Sequence, residues 1–189
     1  MTDKNPVVVY SAEELTLNFP VANRHLSEDE AGKTRSLLKE TSIYTPDSRV
    51  YIKKDSLPHL MGTDKKGVNR FYNDLNDIDK IENGSSKYAS VEAVNKEFSK
   101  RLQEPRDAQQ RERIRDSEKC INALRDAPEL EKIREIEESK NRKEQPRLKA
   151  KKMKLEGITN CQLTGELLEN DAHAHHIERR ADKPRLARD

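Results

Sequence analysis

Residues 49–102 read RVYIKKDSLPHLMGTDKKGVNRFYNDLNDIDKIENGSSKYASVEAVNKEFSKRL, and this stretch decides the fold. Arg49-Val50-Tyr51-Ile52-Lys53 alternates polar and apolar, as a half-buried strand does. Asp55 is placed to cap a short helix over Ser56–Met61, with Pro58 tolerated in its first turn. Gly62 suits a tight turn. Thr63 or Asp64 then caps a second helix running to about Leu75, with Val68, Phe71, Tyr72 and Leu75 at helical spacing. Ile78–Glu82 and Lys87–Ala89 flank Asn83-Gly84, the strongest short-range signal for a hairpin. Ser90 caps a third helix, Val91 to Leu102, with Val91, Val94, Phe98 and Leu102 along one side. The predicted order is strand, helix, glycine turn, helix, hairpin, helix.

Outward from that unit the patterning thins. The chain has 189 residues, 38% charged and 32% hydrophobic, with three Phe, five Tyr and no Trp. An ordinary globular domain is about 45–50% apolar and about 25% charged, so composition excludes one large core spanning the chain. Residues 1–47 form a weakly patterned N-terminal segment without an assigned role. Within it, a short strand is predicted at Val7–Tyr10, a capped turn at Ser11–Glu14, and a helix start at Ser27 with Glu30 at the capping-box spacing. Leu37 and Leu38 should face inward.

Residues 105–156 are dominated by Arg, Lys, Glu and Gln. Their apolar positions are sparse: Ile114, Ile121 and Leu124, then Leu130, Ile133 and Ile136. Pro128 suits the first turn of a helix, and Pro146 is expected to interrupt it. The expectation is a thinly packed, charged helical connector of coiled-coil type or a dimerising arm, the latter making a homodimer through 106–144.

The net charge is +2, with both signs spread evenly. Nucleic-acid contact must therefore come from a shaped motif carrying local cations. The longest apolar run, Val7–Tyr10, is far short of the roughly 20 residues a membrane span needs. No basic-then-apolar leader opens the chain, and Cys120 and Cys161 offer no disulfide framework. A soluble cytoplasmic protein with no membrane partner is expected.

The unit at 48–104 resembles the winged helix-turn-helix domains of excisionase-like and MerR-like DNA binders. With Val68, Phe71, Tyr72 and Leu75 inward, Lys65, Lys66, Asn69, Arg70 and Asn73 are left outward. Lys and Arg can neutralise phosphate or read guanine, and Asn can make two hydrogen bonds to adenine. The hairpin Asn83-Gly84-Ser85-Ser86-Lys87 is small and polar, with Lys87 at one end, as a wing touching the DNA backbone would be.

Residues 157–189 change character again. Cys161-Gln162-Leu163-Thr164-Gly165 is followed by His173-Ala174-His175-His176-Ile177, which gathers three of the five histidines. These landmarks resemble the opening of the HNH, or ββα-metal, endonuclease motif. The resemblance implies that His175 binds a divalent metal (Mg²⁺, Mn²⁺, Ni²⁺ or Zn²⁺) and that His176 is the general base activating water. His173, two positions before His175, would be a further ligand or part of the strand. A neutral imidazole suits proton abstraction near neutral pH, and the metal would stabilise charge on the transferring phosphodiester.

Two features depart from the family pattern. Thr164 stands where a zinc knuckle would have its second Cys. Ala181–Asp189 contains neither the later asparagine nor the last histidine, so a truncated, a degenerate and an externally completed site all stay open. The expected fold is mainly α with small β hairpins, an α+β chain of winged unit, connector and partial ββα-metal hairpin. The expected function is that of an HNH-endonuclease-related DNA-binding protein. A non-enzymatic DNA-binding regulator and an interaction protein acting on another nuclease are the alternatives.

Overall fold

Ser27 Oγ accepts the Glu30 N–H at 3.2 Å and starts the first long helix where the sequence puts it. In the computed structural model, which describes residues 8–157, 159–161 and 165–167, the described residues fall into two units divided between Ile133 and Arg134. The first unit opens with β1 (Tyr10–Ser11) and a 3₁₀ turn, Ala12–Glu14, capped by the Ser11 side chain. Then come α1 (Glu28–Thr41), β2 (Ser42–Tyr44), β3 (Val50–Lys53) and α2 (Leu57–Met61). After the Gly62 turn follow α3 (Lys65–Asp74), β4 (Lys80–Asn83), β5 (Ser86–Ser90), α4 (Val91–Gln103) and α5 (Ala108–Arg125). Helix α6 covers Pro128–Glu156.

The strands form one antiparallel sheet in the order β1-β2-β3-β5-β4, so the fold is a mixed α+β one, mainly helical. Ile52 pairs with Ala89 and Ile43 with Tyr51, which fixes what each face carries. Val50, Ile52 and Ala89 enter the main core with Leu38, Leu57, Leu60, Met61, Val94 and Phe98. On the opposite face Ile43, Tyr51 and Tyr88 make a small second cluster with Val9 and Ile81. Period-two alternation produces this split, since neighbouring side chains on a strand leave from opposite faces.

Several expectations are corrected. Asp55 caps nothing: it is exposed in a 3₁₀ turn, Lys54–Ser56, and α2 begins only at Leu57 without a side-chain cap. Of the N-terminal segment, residues 10–44 supply two strands and a helix to the first unit, with Ala12, Leu15 and Leu38 in its core. The thin packing expected of 106–144 fails along α5, because Ile114, Ile121, Leu124 and, beyond it, Leu130 are fully buried in the main core. The apolar stripe looked too narrow because two of its positions are polar or sulfur-bearing. Ser117 and Cys120 fill the gaps between Ile114, Ile121 and Leu124, and both are fully buried. Burial pushes the Cys120 thiol up to about 11, with the Asp116 carboxylate adding to the shift.

Helix α5 is tied to α1 by the Arg113–Glu30 ion pair, which holds the Glu30 carboxyl below its usual range. The extended residues before α1 are also strapped down. Thr16 N–H donates to Glu129 Oε1 at 3.1 Å, Asn23 Nδ2 to Glu112 Oε2 at 2.9 Å, and Arg35 Nη2 to Pro20 O at 2.8 Å. Pro146 does not end α6, whose backbone stays helical through that position. One missing N–H in a long charged helix is tolerated there despite its cost.

In the second unit, Asn160 and Leu167 form an isolated antiparallel bridge. Gly165 N–H donates to Cys161 O at 2.8 Å, and Cys161 N–H to Glu166 O at 2.7 Å. Asn160 Nδ2 also reaches Gly165 O at 2.9 Å. Gly165 has φ 74°, a left-handed conformation that glycine adopts without a Cβ penalty.

Candidate nucleic-acid interface

Helix α3 is set in place by its first turn. Asp64 Oδ1 accepts the Gly67 N–H at 2.7 Å, which satisfies one of the free donors at the helix start. A Cβ at position 67 would collide with the Thr63 hydroxyl, so glycine there lets Thr63 and Asp64 close over the turn. The preceding turn needs glycine too, since Gly62 ends α2 at φ 57°. Val68 and Tyr72 are buried, and Phe71 and Leu75 pack partly against the core.

The five residues expected to face outward do so. Lys65, Lys66, Asn69, Arg70 and Asn73 are all exposed. Among the described residues, none of the three cations has an ion-pair partner or a side-chain hydrogen bond. Their charge is available to a ligand. Asp74 is an exposed acid at the last position of the same helix.

The β4–β5 hairpin stands beside α3 in the chain and turns through Gly84-Ser85, with Asn83 paired to Ser86. Gly84 has φ 60°, and a glycine with positive φ at the first position of a two-residue loop matches the twist of the flanking strands. Lys87 is exposed, as expected, but its ammonium sits 3.3 Å from Glu82 Oε1. Such an exposed pair is weak, about 0–1 kcal/mol, yet it offsets the positive charge near the hairpin tip.

The hairpin's base is firmly held. Ser90 Oγ donates to Asp79 Oδ1 at 2.6 Å and also accepts the Ala93 N–H at 3.1 Å, capping α4. Arg49 lies 3.9 Å from Asp79, donates to Tyr51 Oη at 2.8 Å and reaches Ile78 O at 3.2 Å. Sequence patterning missed this group, because Arg49, Asp79 and Ser90 come from three separate segments with no shared period. It also missed Lys54 and Lys80, which both approach the Tyr72 ring.

His173, His175 and His176 lie outside the described residues. Among the described residues, no three His, Cys, Asp or Glu side chains are grouped to hold a metal ion. Cys161, half-buried, accepts the Gly165 N–H through its carbonyl. His59 is the best-packed described histidine: its Nε2 is 3.2 Å from Thr34 Oγ1, and burial lowers its pKa. No described helix is long and apolar enough to cross a membrane. Comparison with family models, curated proteins and solved structures found no match to this chain.

Proposed function

We propose that this chain is a DNA-binding protein whose α3 enters the major groove as the second helix of a winged helix-turn-helix. The observation that carries this is the outer face of α3, where Lys65, Lys66 and Arg70 are exposed beside Asn69 and Asn73 and have no partner among the described residues. The order α2, glycine turn, α3 and hairpin supports the same reading. A two-helix turn projects its second helix from the surface, where exposed side chains reach base edges and phosphates. The hairpin contributes as a wing through its small polar tip more than through charge, since Lys87 is offset by Glu82. Ile114, Ile121, Leu124 and Leu130 are used inside the chain's own core, so a homodimer through 106–144 would rest on the remainder of that segment, where Ile136 is exposed.

The test is fluorescence anisotropy of a labelled duplex titrated across a range of salt concentrations. Replacing Lys65, Lys66 and Arg70 together by Ala should weaken binding and lower the salt slope by about one for each phosphate no longer neutralised. A triple variant that binds as the parent does would remove α3 from the interface.

A second reading, metal-dependent phosphodiester hydrolysis of the HNH type, is favoured by the Asn160–Leu167 bridge and the Gly165 N–H to Cys161 O bond, which stand before the histidine-rich stretch. On that reading His175, with His173, would hold a divalent ion, and His176 would take the proton from attacking water. Plasmid nicking with Mg²⁺, Mn²⁺, Ni²⁺ or Zn²⁺ tests it. His176→Ala should abolish cutting while metal still binds, whereas His175→Ala should weaken metal binding itself. Nicking that persists in the His176 variant would exclude this assignment.

A further inference from the structure

Tyr72 carries two ammonium groups against its ring, Lys54 Nζ at 4.9 Å from the centroid and Lys80 Nζ at 5.7 Å. They arrive from different elements, Lys54 from the 3₁₀ turn ahead of α2 and Lys80 from the first position of β4. The electron-rich face of an aromatic ring attracts a cation and so holds both stems in place. Two like charges sharing one ring also repel, and a carboxylate between them would be the usual relief. Among the described residues neither ammonium has a carboxylate within ion-pair distance. Glu82 is close enough to act on Tyr72, but its carboxylate is engaged by Lys87 at 3.3 Å.

Lys80 spends one donor on Asn73 O, at 3.3 Å, and the other donors of both lysines have no protein acceptor among the described residues. Both side chains are half-buried, and the Tyr72 hydroxyl is buried with no hydrogen-bond partner among the described residues. The result is a pre-ordered pair of cations that no carboxylate of the described residues meets at ion-pair distance.

Its position relative to α3 gives it a use. Lys65 and Lys66 stand at the start of α3, and Lys80 touches the carbonyl of Asn73 in its last turn. A helix lying along the groove with cations at both ends can meet phosphates near each of its ends. The geometry points to Lys54 and Lys80, held on the Tyr72 ring, as a second clamp for duplex DNA phosphodiesters at the C-terminal end of α3. This inference rests on the reading of α3 as the groove-entering helix.

The experiment is the salt-titrated anisotropy measurement with three variants of the full chain. Lys54→Gln/Lys80→Gln keeps the stems against Tyr72 and removes both charges, so the slope of log affinity against log salt should fall by about 1.8. Lys54→Arg/Lys80→Arg keeps charge and ring stacking and should retain the parental slope. The Lys65, Lys66 and Arg70 triple Ala variant serves as the reference for α3. A parental slope in the double Gln variant, alongside a reduced one in the triple variant, would overturn the clamp and leave the α3 reading standing. Equal weakening in the Arg and Gln variants would also overturn it, because position rather than charge would then be responsible. No salt-dependent duplex affinity in the parent chain would overturn both the α3 reading and the clamp.

Discussion

Asn95 Nδ2 donates to Asn122 Oδ1 at 2.9 Å and joins α4 to α5 across the chain segment at Pro105. The bond lies beside a continuous apolar contact in which Phe98, Ile121 and Leu124 are all fully buried. Helix α5 therefore belongs to the same cooperative unit as the sheet. Ile121→Ala should destabilise the protein by about 2–5 kcal/mol, the usual cost of deleting a buried aliphatic side chain and leaving a cavity. Limited proteolysis should spare 106–125 and leave no resistant fragment ending near residue 103. Denaturant unfolding followed by far-UV circular dichroism measures the first, and mass spectrometry of the digest the second. An Ile121→Ala cost below about 1 kcal/mol would mean that α5 is only loosely docked.

Ser90 has two jobs, capping α4 through Ala93 N–H and donating to Asp79 at the foot of the hairpin. Ser90→Ala removes both. Loss of the cap alone costs about 1 kcal/mol, and loss of the Ser90–Asp79 hydrogen bond about a further 1 kcal/mol. A melt should show the combined destabilisation, and Asp79→Asn should show a smaller one, because it keeps an oxygen able to accept from Ser90. If Ser90→Ala melts with the parent protein, the hairpin is not anchored through this residue.

The parts of this fold that were legible in the sequence are those written in short-range chemistry. Ser27, Asp64 and Ser90 each announce a helix by a cap that the next turn needs, and all three caps form. Asn83-Gly84 places the hairpin, although the loop itself is Gly84-Ser85. What could not be read is burial that depends on partners distant in sequence. Asp116, Ser117 and Cys120 look polar or neutral in a charged helix, yet they are buried because α1, α2 and α4 close around α5. The outward residues of α3 were readable because a helix with a known inner face has a defined outer one. Lys54 and Lys80 were not, since only the folded chain brings both to Tyr72.

His59 makes stability depend on pH in a predictable direction. Its ring packs against Thr34, and burial lowers its pKa, with Lys33 and Arg113 adding to the effect and Glu30 opposing it. The unfolded chain then binds a proton more readily than the folded one once pH falls below the ordinary value of about 6.5. Stability from this residue is complete above about pH 6.5 and declines as pH falls toward the depressed folded value. Melting temperature followed from pH 7.5 to 5 should drop, and His59→Gln should flatten that part of the curve. An unchanged slope in the variant would assign the pH dependence to other groups, although Glu30 should act only lower, below the usual carboxylate range.

Asn69 and Asn73 lie one helical turn apart on the exposed side of α3, with Arg70 between them in sequence. An amide side chain can give adenine one donor and take one, and a guanidinium can do the same work at guanine with two donors. Lys65 and Lys66, at the helix start, have flexible charges suited to phosphate, which carries no sequence information. The two sets should therefore separate in a selection from randomised duplexes. Lys65→Ala and Lys66→Ala should weaken all sequences alike and lower the salt slope. Asn69→Ala, Arg70→Ala and Asn73→Ala should each relax preference at one base pair, at a cost of about 1–3 kcal/mol for the preferred sequence. Enrichment of the same sequence by the parent and by all three of these variants would mean that α3 meets only the backbone, and that any preference comes from the hairpin or from DNA shape.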